Sequence, residues 1–286
     1  MISIITRTKS LLAGVFKSSL VALFAVPCTA IMLQAQPIMP DFATLPTGWI
    51  TDRYEPASFA NIGIYQGHAD VLGIGIDATT GQSARPAGQQ SSFYSTQGRK
   101  YTFTPVEGPG SVLSADLYIP ASWGDSANGH VRTDMWGTAV DSASDISAYA
   151  IIGFSNYDGA PRLRVWDGDI GWVDLPTPIT YDTWTAFAIE LLADSSINFY
   201  VNGVLVYTDL TTEGSVAFME VLMEAFNFEH TAIPGAIVVP YTAHWSNTQL
   251  DSANQCKNGG WKIVFRADGT PFENQGDCIQ YLKTGK

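Results

Sequence analysis

The 286-residue chain is short of cysteine, with three, and short of bases, with 15 Lys and Arg against 27 Asp and Glu. Few bases mean little capacity to neutralise phosphates, so nucleic acid is not an expected partner. The same charge repels polyanionic glycans unless calcium bridges them, whereas a neutral glycan meets no such barrier. Glycine-rich phosphate loops and a Gly-x-Ser-x-Gly elbow are missing, so neither nucleotide binding nor that serine-hydrolase arrangement is indicated. The four histidines, His68, His130, His230 and His244, include no pair at metal-ligand spacing. No amphipathic helix stands out in the body of the chain, and no repeat of fixed period is visible.

The first 36 residues carry Arg7, Lys9 and Lys17 and no acid, followed by an apolar stretch from Leu20 to Leu33 interrupted by Pro27. Basic, then apolar, then small residues is the order of a secretory leader, with cleavage expected after Ala30 or Ala35. The stretch is shorter than the ~20 residues of a membrane span, so no membrane insertion is expected once the leader is removed. Pro27 also argues against lipidation at Cys28. Without the leader, 12 bases face 27 acids, and residues 37–253 hold only seven bases: Arg53, Arg85, Arg99, Lys100, Arg132, Arg162 and Arg164. Two cysteines remain, Cys256 and Cys278. In the oxidising compartment reached by export they are expected to pair.

The expected organisation is a leader (1–36), an extended lead-in (37–48), one β domain (49–250) and a small C-terminal module (251–286). From Trp49 onward, short apolar stretches alternate with Gly, Pro, Asn and Asp. Strands are predicted over 111–119, 130–138, 149–156, 162–166, 184–192, 197–201, 204–208, 216–228 and 237–250. Many short strands bounded by turn residues define an all-β sandwich or barrel. The clearest hairpin is Ile197–Val201 and Val204–Thr208 around Asn202-Gly203, a pair that accepts the positive φ angles of a type I′ turn. Phe187, Ile189 and Leu191 alternate with Ala186, Ala188 and Glu190, so one face of that strand is buried. Composition changes after Leu250, and residues 254–286 carry five bases and three acids. That appendage is too small to hold itself together without its disulfide.

Tyr181-x-x-Trp184-x-x-Phe187-x-Ile189, followed by a hairpin carrying Val201-Asn202-Gly203, resembles the concanavalin A-like lectin and glucanase superfamily, which includes laminin-G-like modules. The resemblance implies a two-sheet antiparallel jelly roll and leaves function open. Glucanases of this superfamily carry Glu-x-Asp-x-Glu on one strand face. The strand in the same order here reads Arg132-x-Asp134-x-Trp136, without the paired carboxylates. Glu220-Val-Leu222-Met-Glu224 has similar spacing, but four residues along a strand span about 13 Å. A retaining pair needs about 5 Å. In the tail, Cys256-Lys-Asn-Gly-Gly-Trp261 and Phe272-Glu-Asn-Gln-Gly-Asp-Cys278 resemble a short C-terminal module of secreted microbial proteins. The departure is Glu273, where Lys is usual.

Sugar sites combine flat aromatic rings with carboxylates, amides and guanidinium groups. Alternation puts Arg132, Asp134 and Trp136 on one strand face. On the strand before, Leu113, Ala115, Leu117 and Ile119 are expected in the core, with Asp116 and Tyr118 turned outward. Later, Glu220 and Glu224 share a face with Phe218 and Phe226. Together these are expected to line one polar and aromatic groove on the concave face. The plainer alternative is that Trp136 and Tyr118 lie under a loop and that Arg132 pairs with Asp134 or Asp116. Cofactors are not expected. Structural calcium is the one ion left open, by Asp141, Asp145, Asp158, Asp167 and Asp169 in turns. His130 beside Arg132 could serve a polysaccharide lyase.

The reading that follows is a secreted or cell-surface protein that binds a neutral glycan or cell-surface polysaccharide without cleaving it. A secreted glycoside hydrolase or lyase is the first alternative. A structural extracellular protein without a glycan ligand is the second.

Overall fold

The structure is a computed structural model. It describes residues 33–34, 40, 42–210, 212, 214–229, 239–251, 256, 260–262, 264–266 and 270–284. The leader reading falls almost wholly on residues outside this set, as does His230. Near the start of the described residues, β1 (Leu33–Gln34) pairs in parallel with β16 (Val264–Phe265).

Two seven-stranded antiparallel sheets make up the body, as the strand pattern predicts. Sheet one runs in the order β10 (Gly171–Asp174), β9 (Arg162–Asp167), β8 (Ile146–Ser155), β7 (Arg132–Val140), β14 (Ala217–Phe226), β5 (Thr96–Glu107) and β2 (Trp49–Thr51). Sheet two runs β13 (Val204–Asp209), β12 (Ile197–Val201), β11 (Thr183–Leu191), β6 (Val112–Ile119), β15 (Tyr241–Asp251), β4 (Leu72–Ile76) and β3 (Ser58–Asn61). Alternation along each strand sends one set of side chains between the sheets. Leu113, Ala115, Leu117 and Ile119 from β6 and Phe187, Ile189 and Leu191 from β11 meet Met135, Ile152, Phe154 and Met223 from sheet one in a single buried cluster.

The hairpin at Asn202-Gly203 forms as expected, with φ of 50° and 76° at the two turn residues. Asn202 also accepts a hydrogen bond on its side-chain oxygen from Ala186 N–H at 2.9 Å, which ties the turn to β11.

Two expectations are corrected. The described part of the lead-in, 42–48, folds into successive turns and is not extended: Thr47 N–H donates to Thr44 O and Trp49 N–H to Pro46 O. The reason is hydrophobic, since turning places Phe42 against Trp49 at 5.5 Å, both buried in the core. Second, Phe218 does not share a face with Glu220 and Glu224. The register of β14 shifts between Phe218 and Glu220. This bulge reverses the alternation, so that Phe218 joins the core while Glu220, Leu222, Glu224 and Phe226 face outward.

In the tail Cys256 and Cys278 are bonded, as expected. They and Phe272 are buried, with Trp261, Ile279 and Tyr281 packed around them. This small cluster carries α1 (Gln275–Thr284) and is distinct from the core between the sheets. No helix among the described residues is long and apolar enough to cross a membrane.

Candidate functional site

The residues expected to line one groove divide between opposite faces of the sandwich. Arg132, Asp134, Trp136, Glu220 and Glu224 lie on the outer face of sheet one. Asp116 and Tyr118 lie on the outer face of sheet two, because β6 belongs to that sheet. Strand order along the chain gave no sign of this: β6 and β7 are consecutive but cross from one sheet to the other.

On sheet two, Asp116 accepts from Asn247 Nδ2 at 2.6 Å, and burial pushes its carboxyl above the usual range. Tyr118 is buried under the 63–71 hairpin, edge-on to Tyr65 at 5.3 Å and to Trp184 at 5.5 Å. His68 from that hairpin stacks on Trp184 at 4.1 Å, and Tyr65 stacks on His244 at 4.0 Å. The rings on this face are occupied by one another.

On sheet one, Arg132 Nε donates to Asp134 Oδ2 at 2.7 Å. Lys100 Nζ lies 3.0 Å from Glu220, which also accepts from Thr102 Oγ1 at 3.1 Å. Trp136 is 5% exposed and sits among Ile151, Leu222, Trp166 and Trp172. The Arg53 guanidinium lies 4.6 Å above it and also 4.9 Å from the Phe93 ring. Trp136 is therefore covered by Arg53 and packed among strand residues, Tyr118 lies under the 63–71 hairpin, and Arg132 is paired with Asp134.

Glu224 is opposite Asp134 in register, and neither of its oxygens has a hydrogen-bond partner among the described residues. Burial first, and then the nearby Asp52 and Asp134 carboxylates, hold its carboxyl well above the usual range.

The open feature of this face is a cleft of about 420 Å³ beside Trp136. Arg132 lines it from β7, Arg162 and Arg164 from β9, Trp172 and Asp174 from β10, and Phe226 from β14. Tyr157, Asp158 and Phe228 close its end, and His130 lies just behind, 5.2 Å from the Tyr157 ring. The β9 strand is built for this: Leu163 and Val165 point into the core, so Arg162 and Arg164 must point out. Arg162 donates to Asp174 at 2.8 Å. Of the cleft residues, the sequence reading singled out Arg132 and Phe226 for binding and Asp158 only for calcium. The i, i+2 spacing of Arg162 and Arg164 was the signal available for the rest.

Of the five aspartates considered for calcium, Asp141 and Asp167 are engaged through their side chains in turns. Asp141 accepts from the N–H groups of Ala143 and Asp145. Asp167 accepts from those of Asp169 and Ile170 and from the Tyr207 hydroxyl. No group of three or more His, Cys, Asp or Glu side chains able to hold a metal occurs among the described residues.

No protein family matches the chain, and no curated protein matches it. Among solved structures it is similar to a sialidase at 13% identity and a TM-score of 0.48; 82% of this chain is covered, and it spans only 20% of the sialidase chain. It is similar to a carbohydrate-binding module, CBM66 from Bacillus subtilis, at 12% identity and a TM-score of 0.38, over 72% of this chain and 96% of that one. A third is the beta-glucanase of Bacillus licheniformis, at 14% identity and a TM-score of 0.40, over 73% and 95%. No residue role is carried over from any of them.

Proposed function

We propose that this protein binds a glycan without cleaving it, at the cell surface or outside the cell, through the cleft on the outer face of sheet one. The observation that carries this is the lining of that cleft. Trp172, Tyr157, Phe226 and Phe228 supply aromatic surface, and Arg132, Arg162, Asp158 and Asp174 supply donors and acceptors for hydroxyl groups. The leader-like first 36 residues and the Cys256–Cys278 bond support an extracellular location.

The test is a glycan array run beside assays for new reducing ends and unsaturated products. Binding without turnover is expected. Trp172→Ala should weaken it about thirtyfold, an effect of about 2 kcal/mol, because that ring holds the Arg132 and Arg164 guanidinium groups in place along the cleft. If no glycan binds, the structural-protein alternative takes its place.

A second reading, polysaccharide cleavage, has one observation in its favour. Glu224, whose carboxyl burial holds well above the usual range, is opposite Asp134, and facing residues of an antiparallel pair have Cα atoms about 5 Å apart. Acid catalysis uses a carboxyl raised in this way. Against it, Glu224 is sealed from substrate at 1% exposure. Turnover abolished by Glu224→Gln would establish this reading over ours.

A further inference from the structure

The cleft departs from the charge of the whole chain: three arginines line it against two aspartates, Asp158 and Asp174. The body is strongly acidic, yet three of its seven bases, Arg132, Arg162 and Arg164, line this one cleft. Two of the three are matched: Arg132 by Asp134 and Arg162 by Asp174. The guanidinium of Arg164 makes no hydrogen bond or ion pair among the described residues, and its Nε is sealed from solvent. At 6% exposure it is, after Arg85, the most deeply placed cation among the described residues. Burial pulls it down only to about 10, so it stays charged at neutral pH.

A buried cation is costly when the carboxylates nearest in effect, Asp134 and Asp174, are bonded to other arginines and not to it. Trp172 offsets part of that cost, because the Arg164 guanidinium lies 3.7 Å over its ring and the Arg132 guanidinium 4.8 Å from the same ring. A ring face contributes a quadrupole and leaves the net charge in place. It also means that Trp172 is already engaged with cations. A neutral hydroxyl can accept from a guanidinium but brings no counter-charge, whereas a planar oxyanion brings one and matches the fork with two parallel hydrogen bonds.

We propose that the cleft takes the carboxylate of an acidic sugar, with Arg164 as its counter-ion and Arg132 and Arg162 flanking it. This rests on the glycan-binding reading and names the ligand class. It replaces the neutral glycan expected from net charge, because recognition at contact distance depends on the groups lining the cleft and the summed charge acts only at longer range.

The experiment compares the full-length protein's affinity for short oligosaccharides of galacturonate, glucuronate-containing repeats, and mannuronate with guluronate, each beside its methyl ester. Esterification keeps the rings and removes the charge. At least one acidic oligosaccharide should bind, and its ester should bind tenfold or more weakly, the effect of losing a charge-assisted hydrogen bond. Arg164→Met should weaken binding of the acid by a similar factor, leave the ester unaffected, and leave thermal stability unchanged or raised. If that variant does not fold, Arg164→Lys keeps the charge without the fork and should still lose several-fold. Equal binding of acid and ester, or binding only of neutral glycans, would sink the carboxylate while leaving glycan binding intact. A sulfated dextran fragment that binds when every uronate is silent would also overturn it. Silence towards all glycans would remove both readings.

Discussion

Glu224 on β14 stands directly opposite Asp134 on β7, and both carboxylates are sealed at 1% exposure on the outer face of sheet one. Each lies over a glycine of the next strand. A Cβ at Gly98 would meet Glu224 Oε2 at 2.7 Å, and one at Gly153 would meet Asp134 Oδ1 at 2.5 Å. The two glycines are what allow acids to lie flat on a sheet whose other outward side chains are large.

Gly153→Ala should therefore destabilise the protein. The added methyl would also lie 2.2 Å from the backbone oxygen of Thr133, which cannot swing away. Overpacking of this kind costs about 1–3 kcal/mol. Urea denaturation measures it, and a change within error would show that β8 slides to make room.

Glu224 should make stability fall as pH rises. Its folded carboxyl is raised well above the ordinary value of 4.5, so the folded state holds a proton that the unfolded state has released. Stability is then lost from about pH 4.5 upward until the folded group itself ionises. Asp251, pushed up to about 7 by burial, contributes a fall in the same direction between the ordinary carboxylate range and pH 7. The difference between wild type and Glu224→Gln isolates the first group. It should grow with pH in favour of Gln, by about 1.4 kcal/mol for each tenfold difference in proton affinity. Parallel curves would mean that Glu224 is ionised in the folded protein.

Trp136→Ala is expected to act on stability. The ring packs among Ile151, Leu222, Trp166 and Trp172 under the Arg53 guanidinium, and truncating a buried Trp costs about 3–5 kcal/mol. Thermal unfolding should show a large drop. A variant of unchanged stability and weakened glycan binding would instead return Trp136 to the binding surface.

Reduction of Cys256–Cys278 should loosen the tail and spare the sandwich. The bond closes a separation of 22 residues, worth roughly 3 kcal/mol in the chain-entropy model. The cluster of Phe272, Trp261, Ile279 and Tyr281 around it is small. Hydrogen exchange should rise across α1 after reduction while the amides of β7 and β14 stay protected. Global unfolding at the same step would mean that the tail supports the body.

Most of the strands were legible because their alternation is local. Ile197–Val201 falls where the pattern puts it, and the Asn202-Gly203 turn follows from the two residues best able to adopt positive φ. The long β5 is not among the predicted stretches; Gly98 and Pro105 lie within it, residue types that weaken the local signature of a strand. Gly98 belongs there because of Glu224, a partner on another strand that no local pattern reveals.

The same division holds for the candidate site. The sequence by itself determined an all-β sandwich, an acidic body and a disulfide-closed tail, because alternation, composition and two remaining cysteines are properties of neighbouring residues or of the whole chain. Tertiary structure alone decided which face each side chain occupies. A one-residue shift in β14 sent Phe218 inward, and the crossing from β6 to β7 put Asp116 and Tyr118 on the far side from Arg132. It also decided which charges are matched. Arg132 and Arg162 find carboxylates and Arg164 does not, and that depends on how β7, β9 and β10 are brought into one sheet.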